Sequence, residues 1–172
     1  AFQTTGKADM KVWGPLEFTK LSYDLKTTFY RGVVSREPFD QAHFDVRSRN
    51  GEVTAERINI LRNQAVINMT GVGHPNGDIE TVVQGRDFKL EDSINIQGLG
   101  LSLSGLINFE MMLKGWVLGP LTTLKGTITK SAIGDQGVPD SNFHLRFTAN
   151  TIEGGGDFMG DLLQTNFVLP LN

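Results

Sequence analysis

The sequence contains no cysteine and no long apolar run. Without cysteine, a chain of 172 residues is neither a disulfide-stapled small protein nor the holder of a thiolate metal site. No stretch approaches the roughly 18 consecutive apolar residues of a membrane-spanning helix. The net charge of −3 lacks the basic excess of a nucleic-acid-binding protein, so no nucleic-acid partner is expected. The first residues also lack the pattern of a signal peptide, which predicts either a mature chain or a piece of a longer one.

Alternation of apolar and polar residues is the dominant pattern that remains. The segment 43–49 puts Phe44 and Val46 on one side and polar or charged residues on the other, which is the period of a half-buried strand. About ten to twelve such runs follow one another, separated by glycine-centred breaks such as 71–77. Helical signal is confined to 87–94, and there to a single turn. The sequence therefore predicts an all-β, antiparallel protein.

Two pairs of segments repeat in the same order along the chain. Lys11-Val12-Trp13-Gly14-Pro15-Leu16 is matched by 114–121, and 38–46 is matched by 139–147. The two offsets agree on a unit of about a hundred residues, with approximate copies at 6–104 and 105–172, the second being shorter. A repeat of this kind buries its apolar face by continuing into its neighbour. We therefore expect residues 1–172 to form one continuous segment of a longer array.

Chemistry-bearing motifs are scarce. His43 and His144 occupy equivalent positions on the polar side of equivalent strands, and His74 lies in a turn, so no metal site is predicted. The glycine-rich stretch 98–105 lacks the Lys-Ser/Thr of a phosphate loop and the Gly-x-Ser-x-Gly of a nucleophile elbow. The sequence accordingly predicts no catalytic residues, no cofactor and no enzymatic activity.

The apolar face itself is the strongest functional signal. We predict an elongated, curved antiparallel sheet that forms an open, taco-like groove with an apolar interior. Such a groove would shelter acyl chains, since each buried CH₂ contributes about 0.8 kcal/mol and one tail roughly 10 kcal/mol before ordering costs. The residues predicted to line it are Met10, Val12, Leu21, Tyr23, Leu25, Phe44, Val46, Ile67, Met69, Leu99, Leu101, Leu103, Phe109, Met111, Leu113, Leu124, Ile128, Phe143, Leu145, Phe147, Phe167 and Leu169.

These features resemble a known family. The Gly-Pro-Leu strand starts, the run 38–46, the cadence of glycines and alternating apolar residues over 51–71 and the run 101–106 are similar to the AsmA-like superfamily, and within it to the TamB branch. The resemblance implies a periplasmic β-groove of a Gram-negative bacterium that carries phospholipid acyl chains between the inner and outer membranes and supports outer-membrane biogenesis. It also implies an Omp85-class outer-membrane barrel (TamA) as a partner, and an inner-membrane anchor that this sequence lacks.

Two other architectures fit an all-β chain of this length. A soluble β-sandwich or solenoid would close its apolar face into a core and serve as a binding or adhesion module. An eight-stranded outer-membrane barrel would need girdles of Tyr and Trp, and the chain has two of each. An open sheet with one uncovered apolar face is what distinguishes the groove from a closed core.

Overall fold

A computed structural model defines the fold. It describes residues 5–14, 22–34, 37–98, 100, 102–160 and 162–171. Within these ranges the chain forms twelve strands, in agreement with the ten to twelve predicted from the alternation. The strands are β1 Thr5–Trp13, β2 Ser22–Val34, β3 Glu37–Arg49, β4 Glu52–Arg62, β5 Ala65–Gly73, β6 Asp78–Lys89, β7 Leu103–Trp116, β8 Leu121–Ile133, β9 Gln136–Val138, β10 Ser141–Phe147, β11 Thr151–Phe158 and β12 Leu163–Pro170.

All twelve strands belong to one antiparallel sheet. Each strand pairs with the next along the chain, except that β8 pairs with both the short β9 and with β10. The strands β1 and β12 lie at the two edges, and no pairing between them closes the described sheet. The prediction of an all-β, open antiparallel sheet is therefore confirmed, and the closed-core sandwich is not the arrangement adopted.

Short turns with left-handed residues set the pairing of neighbouring strands. The β3–β4 turn places Asn50 at φ 51° and Gly51 at φ 80°, the backbone of the hairpin turn that an Asn-Gly pair favours. Because this turn matches the twist of the strands it joins, β3 and β4 are paired right up to the turn, where the last residue of β3, Arg49, lies opposite the first residue of β4, Glu52. The Asn-Gly signal in the sequence thus fixes this register.

Bulges explain where the alternation in the sequence changes phase. The mixed pattern of 52–61 coincides with a shift of register between Ala55 and Ile58 of β4. A second shift, between Gly85 and Phe88, surrounds Asp87, whose φ is 56°. An extra residue at each place moves the following side chain to the other face of the strand. In this way Phe88 joins the same face as Ile107, its partner across β7.

The connection between β6 and β7 leaves the sheet. It forms a 3-10 turn at Leu90–Asp92 and one turn of helix, α1, at Ile94–Gln97. The sequence confined helical signal to a single turn within 87–94, and the turn of helix lies slightly further along the chain. Leu90 is buried in this connection, and the Glu91 carboxylate accepts a hydrogen bond from the Gly105 amide at 3.1 Å.

The core is a single face rather than the space between two layers. The buried apolar residues include Ala42, Ile58 and Val83, at 2%, 7% and 8% exposure. These three lie in the middle of β3, β4 and β6, which are neighbours or near neighbours in one sheet. Larger side chains lie directly opposite two of them on the same face, Phe29 opposite Ala42 and Phe44 opposite Ile58.

Candidate functional site

The strand register builds a continuous apolar row across the sheet. Residues directly opposite one another in adjacent antiparallel strands point to the same face. Starting at Ala8 in β1, successive partners can be followed through every strand of the main path to Phe167 in β12. The row is Ala8, Thr27, Phe44, Ile58, Met69, Val83, Met111, Leu124, Leu145, Gly154 and Phe167. One threonine is its only polar member, and we call the face that carries it the apolar face.

Parallel rows on either side extend this face. One contains Met10, Leu25, Val46, Ala55, Gly71, Thr81, Leu113, Thr122, Phe147, Ile152 and Leu169. Another contains Gly6, Phe29, Ala42, Ile60, Ile67, Gly85, Phe109, Gly126, Phe143, Gly156 and Thr165. Val12 opposite Tyr23, and Ile128 opposite Ile107, belong to further rows of the same face.

The structure thus places most of the predicted lining residues together. Met10, Leu25, Phe44, Val46, Ile67, Met69, Phe109, Met111, Leu113, Leu124, Phe143, Leu145, Phe147, Phe167 and Leu169 lie in the three rows, and Val12, Tyr23 and Ile128 lie beside them. Leu103 lies beyond a shift of register, opposite Ile133, and is not joined to the rows. Leu21, Leu99 and Leu101 fall outside the described residues.

Phenylalanine rings cover glycines along the third row. From β6 to β11 the row alternates Gly85, Phe109, Gly126, Phe143 and Gly156, each opposite the next. A Cβ at Gly85 would collide with the Phe109 ring, and one at Gly126 would collide with that of Phe143. The rings therefore lie low over the neighbouring strand, where they shield its backbone. The sequence pattern showed the phenylalanines but not the glycines opposite them.

The opposite face carries a polar row that spans the same strands. Its members are Lys7, Thr28, His43, Asn59, Asn68, Gln84, Glu110, Lys125, His144, Gly155 and Asn166. Neighbours in this row are bonded to each other: the Thr28 hydroxyl lies 3.0 Å from His43 Nδ1, and Asn59 donates to Asn68. His43 and His144, matched by the sequence repeat, occupy the same row. We call this the polar face.

Ion pairs on the polar face shift several pKa values. A hydrogen bond from Lys125, at 2.8 Å, and one from Gln84, at 3.1 Å, lower the pKa of Glu110. Lys114 likewise lowers the pKa of Glu80, which in turn raises that of Lys114. These pairs join adjacent strands, so they favour one register of the sheet over its neighbours.

A patch on the polar face departs from the charged exterior that the alternation predicts. Val72, Val82, Met112 and Leu121 come together there from β5, β6, β7 and β8, beside the Glu80–Lys114 ion pair. They contribute to a shallow cavity of about 670 Å³. Sequence reasoning missed this patch because each of the four strands contributes only one member, and the pairing of the strands brings the members together.

Among the described residues, nothing resembles a metal or redox centre. No group of three His, Asp or Glu side chains in the described part of the chain could hold a metal ion. His74 lies in a turn, with its Nδ1 at 3.3 Å from the Glu52 carboxylate. Within the same described ranges, no helix is long and apolar enough to cross a membrane.

Comparison with known proteins gave no relative from which a function could be transferred. A scan of protein-family models, a search of curated proteins and a search of solved structures each found no match.

Proposed function

We propose that the chain is a segment of a periplasm-spanning bridge protein whose apolar face shields phospholipid acyl chains as they move between the inner and outer membranes. The observation that carries the proposal is the row from Ala8 to Phe167, which is apolar through eleven paired strands except at Thr27. Burying hydrocarbon requires area rather than directional chemistry, and the three rows of this face offer area in which threonines are the only polar residues.

Exposure along the face supports an occupant. Met10 and Val12, neighbours on the apolar face of β1, are 56% and 48% exposed, and Phe167 on the same face of β12 is 39% exposed. Contiguous exposed apolar surface on a protein marks a site that another apolar surface covers. Flexible methionines at Met69 and Met111 suit chains of varied length and unsaturation, since an unbranched thioether adapts its shape to the neighbour it meets.

Ion pairing on the polar face supports the same proposal. The polar face is tied together by ion pairs such as Lys26–Asp45, at 3.0 Å, and Lys125–Glu110, at 2.8 Å. A face with satisfied charges faces water at little cost, whereas the apolar face gains free energy when hydrocarbon replaces water. The resemblance to the TamB branch is the reason for proposing an acyl-chain conduit in particular. It also leads us to propose an Omp85-class barrel (TamA) as partner and an inner-membrane anchor elsewhere in the full-length protein.

Two adjacent methionines provide a matched test. Met111 lies in the central row of the apolar face, and Met112, 50% exposed, lies on the polar face. We expect phospholipid in the organic extract of the purified chain, measured by mass spectrometry. Met111→Arg should lower the lipid per protein about tenfold or more, since a charge among hydrocarbon costs over 1.4 kcal/mol. Met112→Arg should leave it within about twofold.

The outcomes separate the alternatives. Lipid in the wild type that Met111→Arg removes and Met112→Arg retains supports the conduit. A wild-type extract without phospholipid, or equal loss in both variants, contradicts it. Far-ultraviolet circular dichroism of both variants checks that the sheet is intact.

A further inference from the structure

The connection between β6 and β7 is hydrogen-bonded to one end of strands β3 and β4. Arg62, the last residue of β4, forms an ion pair of 2.5 Å with Glu37, the first residue of β3. The Ser93 hydroxyl, in the connection, donates to the same Glu37 carboxylate at 2.8 Å. Arg62 also donates to the backbone carbonyl of Asp92. The Arg62–Glu37 pair, together with a hydrogen bond of 3.1 Å from the Asn63 side-chain amide to the Asp92 carboxylate, thus holds the connection to this end of the sheet, which we call the rim.

Behind this ion pair lies a small apolar cavity. Its volume is about 210 Å³, less than the roughly 300 Å³ at which pockets begin to hold whole drug-sized ligands. Phe88 reaches it because the register of β6 shifts between Gly85 and Phe88, and Phe39 is buried at this end of β3. The lining residues are Glu37, Pro38, Phe39, Ile60, Arg62, Ile67 and Phe88.

The cavity is continuous with the apolar face. Ile60 and Ile67 are opposite one another in the row that also contains Phe29 and Phe109. Because these two isoleucines belong both to the apolar face and to the cavity lining, they join the two surfaces for a hydrocarbon chain lying on that face. The row meets the rim at this point because β4 and β5 turn back at Asn63 and Gln64, directly after Arg62.

Charge at the cavity favours an uncharged occupant. The Arg62 side chain is 13% exposed and that of Glu37 is 24% exposed. One terminal nitrogen of Arg62 bonds the Glu37 carboxylate and the other bonds a backbone carbonyl, so the guanidinium is engaged. A phosphate or carboxylate headgroup would have to compete with this partly buried pair, and separating the pair leaves one charge without its partner. The methyl end of an acyl chain carries no charge, so it leaves the Arg62–Glu37 pair intact.

We infer that this cavity receives the methyl-terminal part of an acyl chain, while the headgroup stays outside it. The inference rests on the proposed function and adds to it a fixed end point for one chain. The cavity has the volume of about seven water molecules at ~30 Å³ each, so it takes a short terminal stretch of hydrocarbon and not a whole tail.

Photoreactive phospholipids test the position of the chain. Two phosphatidylethanolamine probes are needed, one with a diazirine near the methyl end of the acyl chain and one with it near the ester. After loading and irradiation of the intact chain, peptide mass spectrometry locates the adducts. We expect the methyl-end probe to label the peptides that contain Phe39, Ile60 or Phe88, and the ester-end probe to label other parts of the apolar face.

Filling the cavity provides a matched variant. Ile67→Phe adds volume inside it, and Ile128→Phe makes the same change on the same face in β8, away from it. Labelling of the cavity by the methyl-end probe should fall about tenfold or more in Ile67→Phe and stay near the wild-type level in Ile128→Phe. The wild-type comparison of the two probes needs no variant, so it decides the question even if Ile67→Phe does not fold.

Each result has one meaning. Equal labelling of the cavity by both probes, or cavity labelling that Ile67→Phe leaves unchanged, overturns the inference and leaves the proposed function standing. Adducts of either probe elsewhere on the apolar face, with none in the cavity, also overturn it. Absence of adducts from the whole apolar face overturns the proposed function as well.

Discussion

The ring of Phe109 occupies the space that a Cβ on Gly85 would fill. The two residues are directly opposite in β6 and β7, and the same arrangement recurs where Phe143 covers Gly126 two strands away. A ring that packs over a glycine protects the backbone hydrogen bonds beneath it and lies close against the neighbouring strand. The glycines of this face are therefore part of its packing and not breaks in the strands.

Gly85→Ala should destabilise the sheet. The added methyl group meets the Phe109 ring, which must tilt away from the strand. Overpacking of this kind costs about 1–3 kcal/mol. We expect the free energy of unfolding, measured by urea denaturation, to fall by that amount.

Gly73→Ala is the control for this change. Gly73 lies on the same face in β5, and a Cβ there would have its nearest neighbours at 3.9 Å, an ordinary contact. Replacing glycine where space exists stabilises a protein by about 0.4–1 kcal/mol through the unfolded chain. If Gly85→Ala were as stable as Gly73→Ala, the ring would not be held over the glycine.

Lowering the pH should weaken the cross-strand ion pairs. The Lys125 and Gln84 side chains lower the pKa of Glu110 in the folded chain. A carboxyl with a lowered folded pKa contributes stability that is present above its unfolded pKa and lost as the pH falls through the folded value. We expect the melting temperature to drop between about pH 5 and about pH 3, and Glu110→Gln to drop less. Asp135→Asn, in the turn between β8 and β9, should follow the wild type, and an identical pH profile for Glu110→Gln would contradict the assignment.

The assignment of residues to the two faces could be predicted from the sequence because side chains along a strand alternate between its faces with a period of two residues. Side chains such as Phe44, Met111 and Leu145 keep one parity through long strands, so their common face follows from spacing alone. Phe39 and Phe88 could not be assigned in this way. Phe39 is buried three residues before the buried Ala42, which breaks the alternation of β3. Phe88 follows a bulge at Asp87, whose φ of 56° the alternation does not indicate.

The contact between the β6–β7 connection and the rim could not be predicted from the sequence either. Glu37 and Ser93 are 56 residues apart, and Arg62 lies between them in the chain. Only the sheet order, which brings the first residue of β3 beside the last residue of β4, makes them neighbours. Pattern reasoning finds residues that share a strand period, and it has no means of pairing charges across a loop that leaves the sheet.

Arg49 should hold the first strand in place. Its guanidinium carbon lies 4.3 Å from the centre of the Trp13 ring, and a terminal nitrogen donates to Asp24 at 2.8 Å. A cation over an exposed aromatic ring contributes about 0.5–1 kcal/mol, so Arg49→Ala should loosen the end of β1. Hydrogen exchange followed by mass spectrometry should show faster exchange in the peptide that covers β1. Arg86→Ala, an exposed arginine in β6, should not change that peptide, and unchanged exchange in Arg49→Ala would mean that Trp13 is held by other contacts.

The outermost strand β12 should promote self-association of the isolated chain. It pairs with β11 on one side only within the described sheet, and Val168 in its middle is 65% exposed. Exposed apolar edge strands pair with other chains, and lysine on such an edge prevents it. Val168→Lys places an ammonium group opposite Glu153, its partner in β11, so the fold is kept while the edge becomes charged. Light scattering should show less increase in mass with concentration for Val168→Lys, and no such relief for Val82→Lys in the central strand β6. Equal relief in both variants would trace the association to overall charge instead of the edge.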